Sequence, residues 1–161
     1  MRRWRVPVLL AALAIGSAAD PLLLFGQAPL SVQPSRDLDF GDVIAGIPTS
    51  VSRLDNQRSG MYEVRGQRNA EVSLTFTLPA ALTGVAGALL PIEFGPDDGG
   101  FGAAPAQGSS VGFDPRVSFT GTLSPAGRAY VWLGGTVRPA PSQASGPYGS
   151  PVTLTVAYTG N

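Results

Sequence analysis

Apolar and polar residues alternate with a period of two along much of the chain, which is the pattern of half-buried strands. Val72, Leu74, Phe76 and Leu78 alternate with Ser73, Thr75 and Thr77, and Pro79 ends the run. Val152, Leu154, Val156 and Tyr158 alternate with Thr153, Thr155, Ala157 and Thr159. Val117, Phe119, Gly121 and Leu123 alternate with Ser118, Thr120 and Thr122. Ala129, Val131, Leu133, Gly135 and Val137 form one apolar phase, with Tyr130, Trp132 and Thr136 on the other face. Shorter strand candidates lie at Leu38–Ile44, Gly60–Arg65 and Leu89–Phe94. Threonine on one face and Val, Leu or Phe on the other is what an antiparallel sheet with one wet face selects. The best helical window, Ala80–Leu90, is interrupted by Gly84 and Gly87. The pattern therefore predicts an all-β fold, an antiparallel β-sandwich of about 7–9 short strands.

The punctuation agrees. Ser124-Pro125-Ala126-Gly127 reads as a hairpin turn between two of these strands. Gly134-Gly135 inside a strand marks a bulge or a close backbone approach. Ala140–Pro151 is rich in turn residues, and Gly95–Pro115 holds six Gly and three Pro in 21 residues. The latter reads as a long irregular loop, a kind of segment that usually carries function or mobility.

The start of the chain has a different character. Met1–Arg5 carries three positive charges, Val6–Gly16 is apolar, and Ser17-Ala18-Ala19 offers a small-residue cleavage site. This is the layout of a secretory signal peptide, residues 1–19. Cleavage after Ala28 is the alternative, and it would leave Pro29 at the new terminus. A retained anchor over Val6–Phe25 is the competing reading, but Asp20-Pro21 interrupts it. With the signal uncleaved, that segment is the one membrane contact expected.

Composition narrows the chemistry. The chain has 161 residues with no Lys, no His and no Cys, so all 11 basic residues are Arg, against 11 acids. Without His or Cys, the usual zinc, haem and iron–sulfur sites and the Ser–His and Cys–His nucleophiles are excluded. No basic footprint for nucleic acid is present. Removing Arg2, Arg3 and Arg5 leaves 8 Arg and a net charge of −3. No metal, cofactor or catalytic residue is expected, and the protein is not read as an enzyme.

Three blocks in order carry a resemblance. They are Pro29–Val32 with Leu38–Gly46; Tyr62–Gly66 leading into Val72–Pro79; and Gly134–Val137 followed by Gly146-Pro147-Tyr148 and the terminal strand Pro151–Thr159. Together they resemble the bacterial secreted family known as domain of unknown function four-four-zero-two, over roughly Pro29 to Asn161. The resemblance implies an immunoglobulin-like sandwich related to pilus and spore-coat-type subunits. It lends no catalytic residues. The terminal strand, with Tyr158 near its end, is also similar to the last strand of chaperone–usher pilins. The disulfide usual in those subunits is missing here.

Residues 20–36 read as an extended N-terminal arm ahead of a sandwich domain spanning 37–161. In one phase the arm presents Leu22, Leu24, Gly26, Ala28, Leu30 and Val32. Such a segment can add to an open sheet edge, its backbone giving affinity and its alternate side chains filling pockets. It can equally be the tail of a longer signal, or the first strand of the chain's own sandwich. The acceptor in the first case would be Val152, Leu154, Val156 and Tyr158 of the next subunit. Tyr130 and Trp132 share a strand face and form a sugar-stacking platform if exposed, or packing if a loop covers them.

Asp37, Asp39 and Asp42, and the Asp97-Asp98 pair, are read first as strand-end and turn residues, and Arg53, Arg58, Arg65 and Arg68 as a solvated, salt-bridged face. The expected function is a structural subunit of an extracellular pilus-like filament or surface layer. Its partners would be head-to-tail copies of itself, with an assembly chaperone or outer-membrane usher. The alternative is a secreted carbohydrate-binding adhesin or biofilm-matrix module using Tyr130, Trp132 and the Gly95–Pro115 loop.

Overall fold

A computed structural model describes residues 27–160, together with the backbone of two short segments, β1 (Pro7–Val8) and β2 (Leu10–Ala14). The strands that follow are β3 (Ser31–Arg36), β4 (Leu38–Asp39), β5 (Thr49–Val51), β6 (Gly60–Arg65) and β7 (Glu71–Thr77). Next come β8 (Ala81–Gly84), β9 (Leu89–Glu93), β10 (Gly99–Gly102), β11 (Val111–Phe113) and β12 (Phe119–Thr122). The last are β13 (Arg128–Leu133), β14 (Gly135–Val137), β15 (Tyr148–Gly149) and β16 (Val152–Tyr158). The class is all-β, as the alternation predicts, with antiparallel sheets in a sandwich-like arrangement. One sheet has the order β11-β10-β13-β6-β3, another β12-β7-β16-β2, and a third β15-β8-β9-β14-β5. β1 pairs with β4.

Fourteen strands lie between residues 27 and 160, more than the seven to nine expected. The excess has two physical sources. First, long runs are broken where they pass from one sheet to another. β13 and β14 are one apolar run split at Gly134, and β7/β8, β9/β10 and β15/β16 are likewise successive strands that belong to different sheets. Gly134 permits the break, because a Cβ there would lie 2.5 Å from the Val51 carbonyl oxygen and 2.6 Å from the Arg53 nitrogen. Second, strands of two to four residues have too few positions to show a period. The Gly95–Pro115 stretch is therefore not irregular, for it contains β10, a 3-10 turn at Gln107–Ser109 and β11. Conversely, the expected strand Leu38–Ile44 stops at Asp39, where Gly41 turns the chain at a φ of 65°.

The core is built from the predicted apolar phases. Tyr62 and Val64 of β6, Val72, Leu74 and Phe76 of β7, Val131 and Leu133 of β13, and Val152, Leu154 and Val156 of β16 are all buried in one cluster. The Phe residues at 76, 113, 119 and 101 form a chain of ring contacts through it. Burying this apolar surface is the main stabilising term.

The start of the sandwich differs from the expected boundary at residue 37. β3 pairs antiparallel with β6 of the same chain, Ser31 opposite Arg65 and Val32 opposite Val64, with a bulge between Pro34 and Arg36. Leu30 and Val32 pack against the core. Residues 31–36 are therefore the first strand of the chain's own sandwich rather than a free arm.

The two ends of the sandwich differ in kind. One end gathers the turns at 66–70 and 123–127, the start of β3 and the end of β16. The other gathers the turns at 43–48, 85–88 and 139–147.

Candidate functional site: the edge at the terminal strand and the covered tryptophan

β16 presents one side to β7, in register from Thr153–Thr77 to Tyr158–Val72. Its other side has one partner among the described residues, the parallel segment β2, with Val152 opposite Leu10 and Val156 opposite Ala14. That segment belongs to the apolar run expected to leave with the signal peptide. Among residues 27–160, β16 is thus the edge of its sheet. It spans seven residues, carries no charge and has no bulge. An edge of this type is the kind that adds a further strand unless something blocks it. The edge strand β3, by contrast, is blunted by Pro34, Arg36 and its bulge. The edge strands β11, β12, β15 and β5 have only two to four residues each.

The sequence-predicted acceptor residues are placed together, but with their side chains committed. Val152, Leu154 and Val156 are fully buried in the core, so what the edge offers a partner is backbone. Tyr158 has a different role. Its hydroxyl donates to the Ala28 carbonyl at 2.6 Å and accepts from the Gln67 amide at 2.7 Å. It thereby fixes the point where the N-terminal segment meets the sandwich, next to the end of β16. Of the six predicted donor residues, Leu22, Leu24 and Gly26 lie outside the described residues. Ala28 is held by Tyr158, and Leu30 and Val32 face the chain's own core. The last two are thus not on a free arm, because β6 needs a partner on its outer side and β3 supplies it.

Tyr130 and Trp132 lie on the face of β13 that points away from the core, their rings 6.3 Å apart and nearly parallel. Trp132 is nevertheless only 1% exposed. Its register partners are Met61 and Gly100. The ring lies over Gly102, where a Cβ would come within 3.2 Å of Trp132 Cζ3. At Gly100 the space is taken by the Arg53 side chain, with Cδ 3.3 Å from the Cβ position. Two turns close over this face and are joined by polar contacts. Gln107 Nε2 donates to the Arg53 carbonyl at 2.6 Å and to Ser59 Oγ at 2.6 Å. Arg53 Nη1 donates to Ser110 Oγ at 2.8 Å, and Arg36 Nε to the Ser59 carbonyl at 2.6 Å. Trp132 is therefore packing, the favoured of the two sequence readings, and the alternative of a sugar-stacking platform loses its tryptophan. The covering turns were unreadable in the sequence; the clue lay in Gly99-Gly100-Phe101-Gly102, whose alternate glycines make room for large neighbours.

The charged residues sort into local pairs. Asp114 accepts from Arg116 Nη2 at 2.7 Å, and this contact, with the Arg116 backbone amide, pulls its carboxyl down to about 2. Arg65 Nε donates to Glu63 at 2.9 Å and holds that carboxyl below its ordinary value. Asp55 is lowered mainly by the backbone amide of Gln57. Burial pushes the Tyr62 phenol upward. Asp39 caps its own turn by accepting from the Gly41 amide at 2.8 Å, and Asp98 does the same for Gly95 at 2.5 Å. Arg53 does not join a solvated face: its side chain is 12% exposed and lies beneath Asp97. Among the described residues no three acidic side chains converge on a point, and no helix is long and apolar enough to cross a membrane.

No family model matches the chain, and no curated protein matches it either.

Proposed function

We propose that this chain is an exported structural subunit of an extracellular filament or surface layer, assembled by strand complementation between copies. The observation that carries the reading is the β16 edge: long, uncharged, and covered in the full chain by an apolar segment that export would remove. Loss of that segment leaves a row of unpaired backbone groups, and a neighbour's extended segment is the natural replacement. The donor is shorter than the alternation suggested. It is the stretch between the signal cleavage site and Ala28, since Leu30 onward belongs to the donor's own sandwich. A contact of this kind is head-to-tail and does not close, so it propagates. The similarity to secreted pilus-type subunits belongs to the same reading, as does export to the cell surface with the help of a chaperone or usher.

An unboiled denaturing gel of the sheared cell-surface fraction tests it. Paired, buried edges resist detergent, so the expected result is a ladder that collapses to one band on boiling. A single monomer band with and without boiling refutes detergent-stable complementation.

A further inference from the structure

The two lateral seams of the sandwich are closed in different ways. On one side the edge strands β11 and β12 are joined by Phe113 and Phe119, whose rings stack 4.4 Å apart, with Phe101 of β10 5.5 Å from Phe119. On the other side the borders of the two sheets are β3 and, within residues 27–160, β16. This second seam is occupied by the segment Pro7–Ala14. Its first part, β1, pairs antiparallel with β4, the continuation of β3, with Pro7 opposite Asp39 and Val8 opposite Leu38. Its second part, β2, pairs parallel with β16 over five positions, from Leu10 opposite Val152 to Ala14 opposite Val156. β2 also runs beside β3. The segment therefore meets both borders, and its direction is fixed twice, once by each pairing. It carries no charge, so laying it along the seam desolvates no ion.

We infer that Pro7–Ala14 is a plug for the acceptor edge: while it stays on the chain it fills the seam beside β16 and keeps the chain monomeric, and its removal opens the seat to a neighbour's segment. The inference rests on the strand-complementation reading and adds to it the control of when assembly begins. The exclusion is a matter of backbone. A sheet border offers one row of N–H and C=O groups, and a strand already paired with that row leaves nothing for a second. Tethering decides the competition. The plug belongs to the same chain, and Tyr158 holds Ala28, where that chain enters the sandwich, at the end of β16. A short tether gives an effective concentration of about 1 mM, so a neighbour's strand of equal affinity at about 1 μM competes roughly a thousandfold less well. Cutting the chain between Ala14 and Ala28 removes that advantage and alters no residue of the sandwich.

The full-length chain, made without export and carrying a protease site inserted after Ala19, provides the test. Uncut, it should elute as a monomer whose β16 amides exchange slowly with deuterium. The variant A12P/L13P removes two successive strand N–H donors, one of which faces β16 in either phase, and should speed that exchange at least tenfold. The chain has no cysteine of its own, and Ala11 lies opposite Thr153. A11C/T153C should therefore close a disulfide within one chain, and A11C/A157C should not. Cutting should give a detergent-stable ladder at least tenfold stronger than that of uncut protein, and a synthetic peptide of residues 6–16 should suppress it. Equal exchange in wild type and A12P/L13P, or an A11C/T153C disulfide found only between chains, overturns the inference. So does an uncut chain that forms the ladder as readily as the cut one, because the segment would then obstruct nothing. Faster β16 exchange on cutting with no ladder supports the seat of the plug and overturns the complementation reading instead.

Discussion

Replacing Trp132 with alanine removes the largest fully buried side chain among the described residues. The indole is 1% exposed and lies between β13, Gly102 and the turns carrying Arg53 and Gln107. Those turns are joined to each other by hydrogen bonds that do not use the ring, so they will not simply sink into the space it leaves. Large-to-small changes in such a setting cost about 3–5 kcal/mol. Unfolding entropy of about 2.1 cal/mol/K per residue, over the roughly 134 described residues, gives about 0.28 kcal/mol/K, so Tm should fall by about 11–18 °C. Differential scanning calorimetry on the exported protein measures this directly, with Trp132→Phe expected to fall by a smaller amount because the ring still fills part of the space. In a Trp4→Phe background Trp132 is the sole tryptophan. Its emission should be blue-shifted and shielded from iodide in the native protein. A Tm loss below about 3 °C, or iodide quenching as strong as in the unfolded chain, would refute the reasoning. The covering turns would then be open in solution, and the Tyr130–Trp132 face would be free to act as a ligand platform.

Three other outcomes follow from named contacts. Tyr158→Phe deprives both the Ala28 carbonyl and the Gln67 amide of a partner, a loss of about 1–2 kcal/mol and a Tm shift of about 4–7 °C; an unchanged melting curve would mean that the N-terminal segment is held by packing alone. Gly134→Ala drives a Cβ into the backbone of Val51 and Arg53, so the denaturant midpoint should fall by an amount equivalent to about 1–3 kcal/mol, and a midpoint equal to wild type would contradict the close approach. The Asp114 carboxyl should titrate by NMR at about 2 and return toward 3.8 in Arg116→Ala. A lowered folded-state pKa means that the pair favours the fold above the ordinary carboxylate value and that this contribution is lost as pH falls toward about 2. Identical midpoints in the two proteins would show that the ion pair does not form.

Much of the sandwich was legible because burial leaves a periodic trace. Wherever a strand is long enough to alternate several times, as in Glu71–Thr77 and Val152–Tyr158, the apolar phase named the core face correctly. Short strands such as Thr49–Val51 and Gly99–Gly102 left no such trace. The alternating arm was ambiguous for a related reason. Leu30 and Val32 show the same pattern whether their partner is a neighbour's sheet or β6 of their own chain, and only the pairing Val32–Val64 distinguishes them.

Composition and alternation determined, without coordinates, that the chain is all-β, that its core draws on Val, Leu and Phe at every second position, and that histidine and cysteine chemistry is excluded. These are properties of residue types and of spacing along one strand. Tertiary structure alone decided that Trp132 is covered, that β3 closes the outer side of β6, that β16 lies between β7 and the apolar segment β2, and that turns far apart in the chain meet at one end. Each of these depends on which segments become neighbours across the sheets, and local sequence does not encode contacts between residues separated by tens of positions.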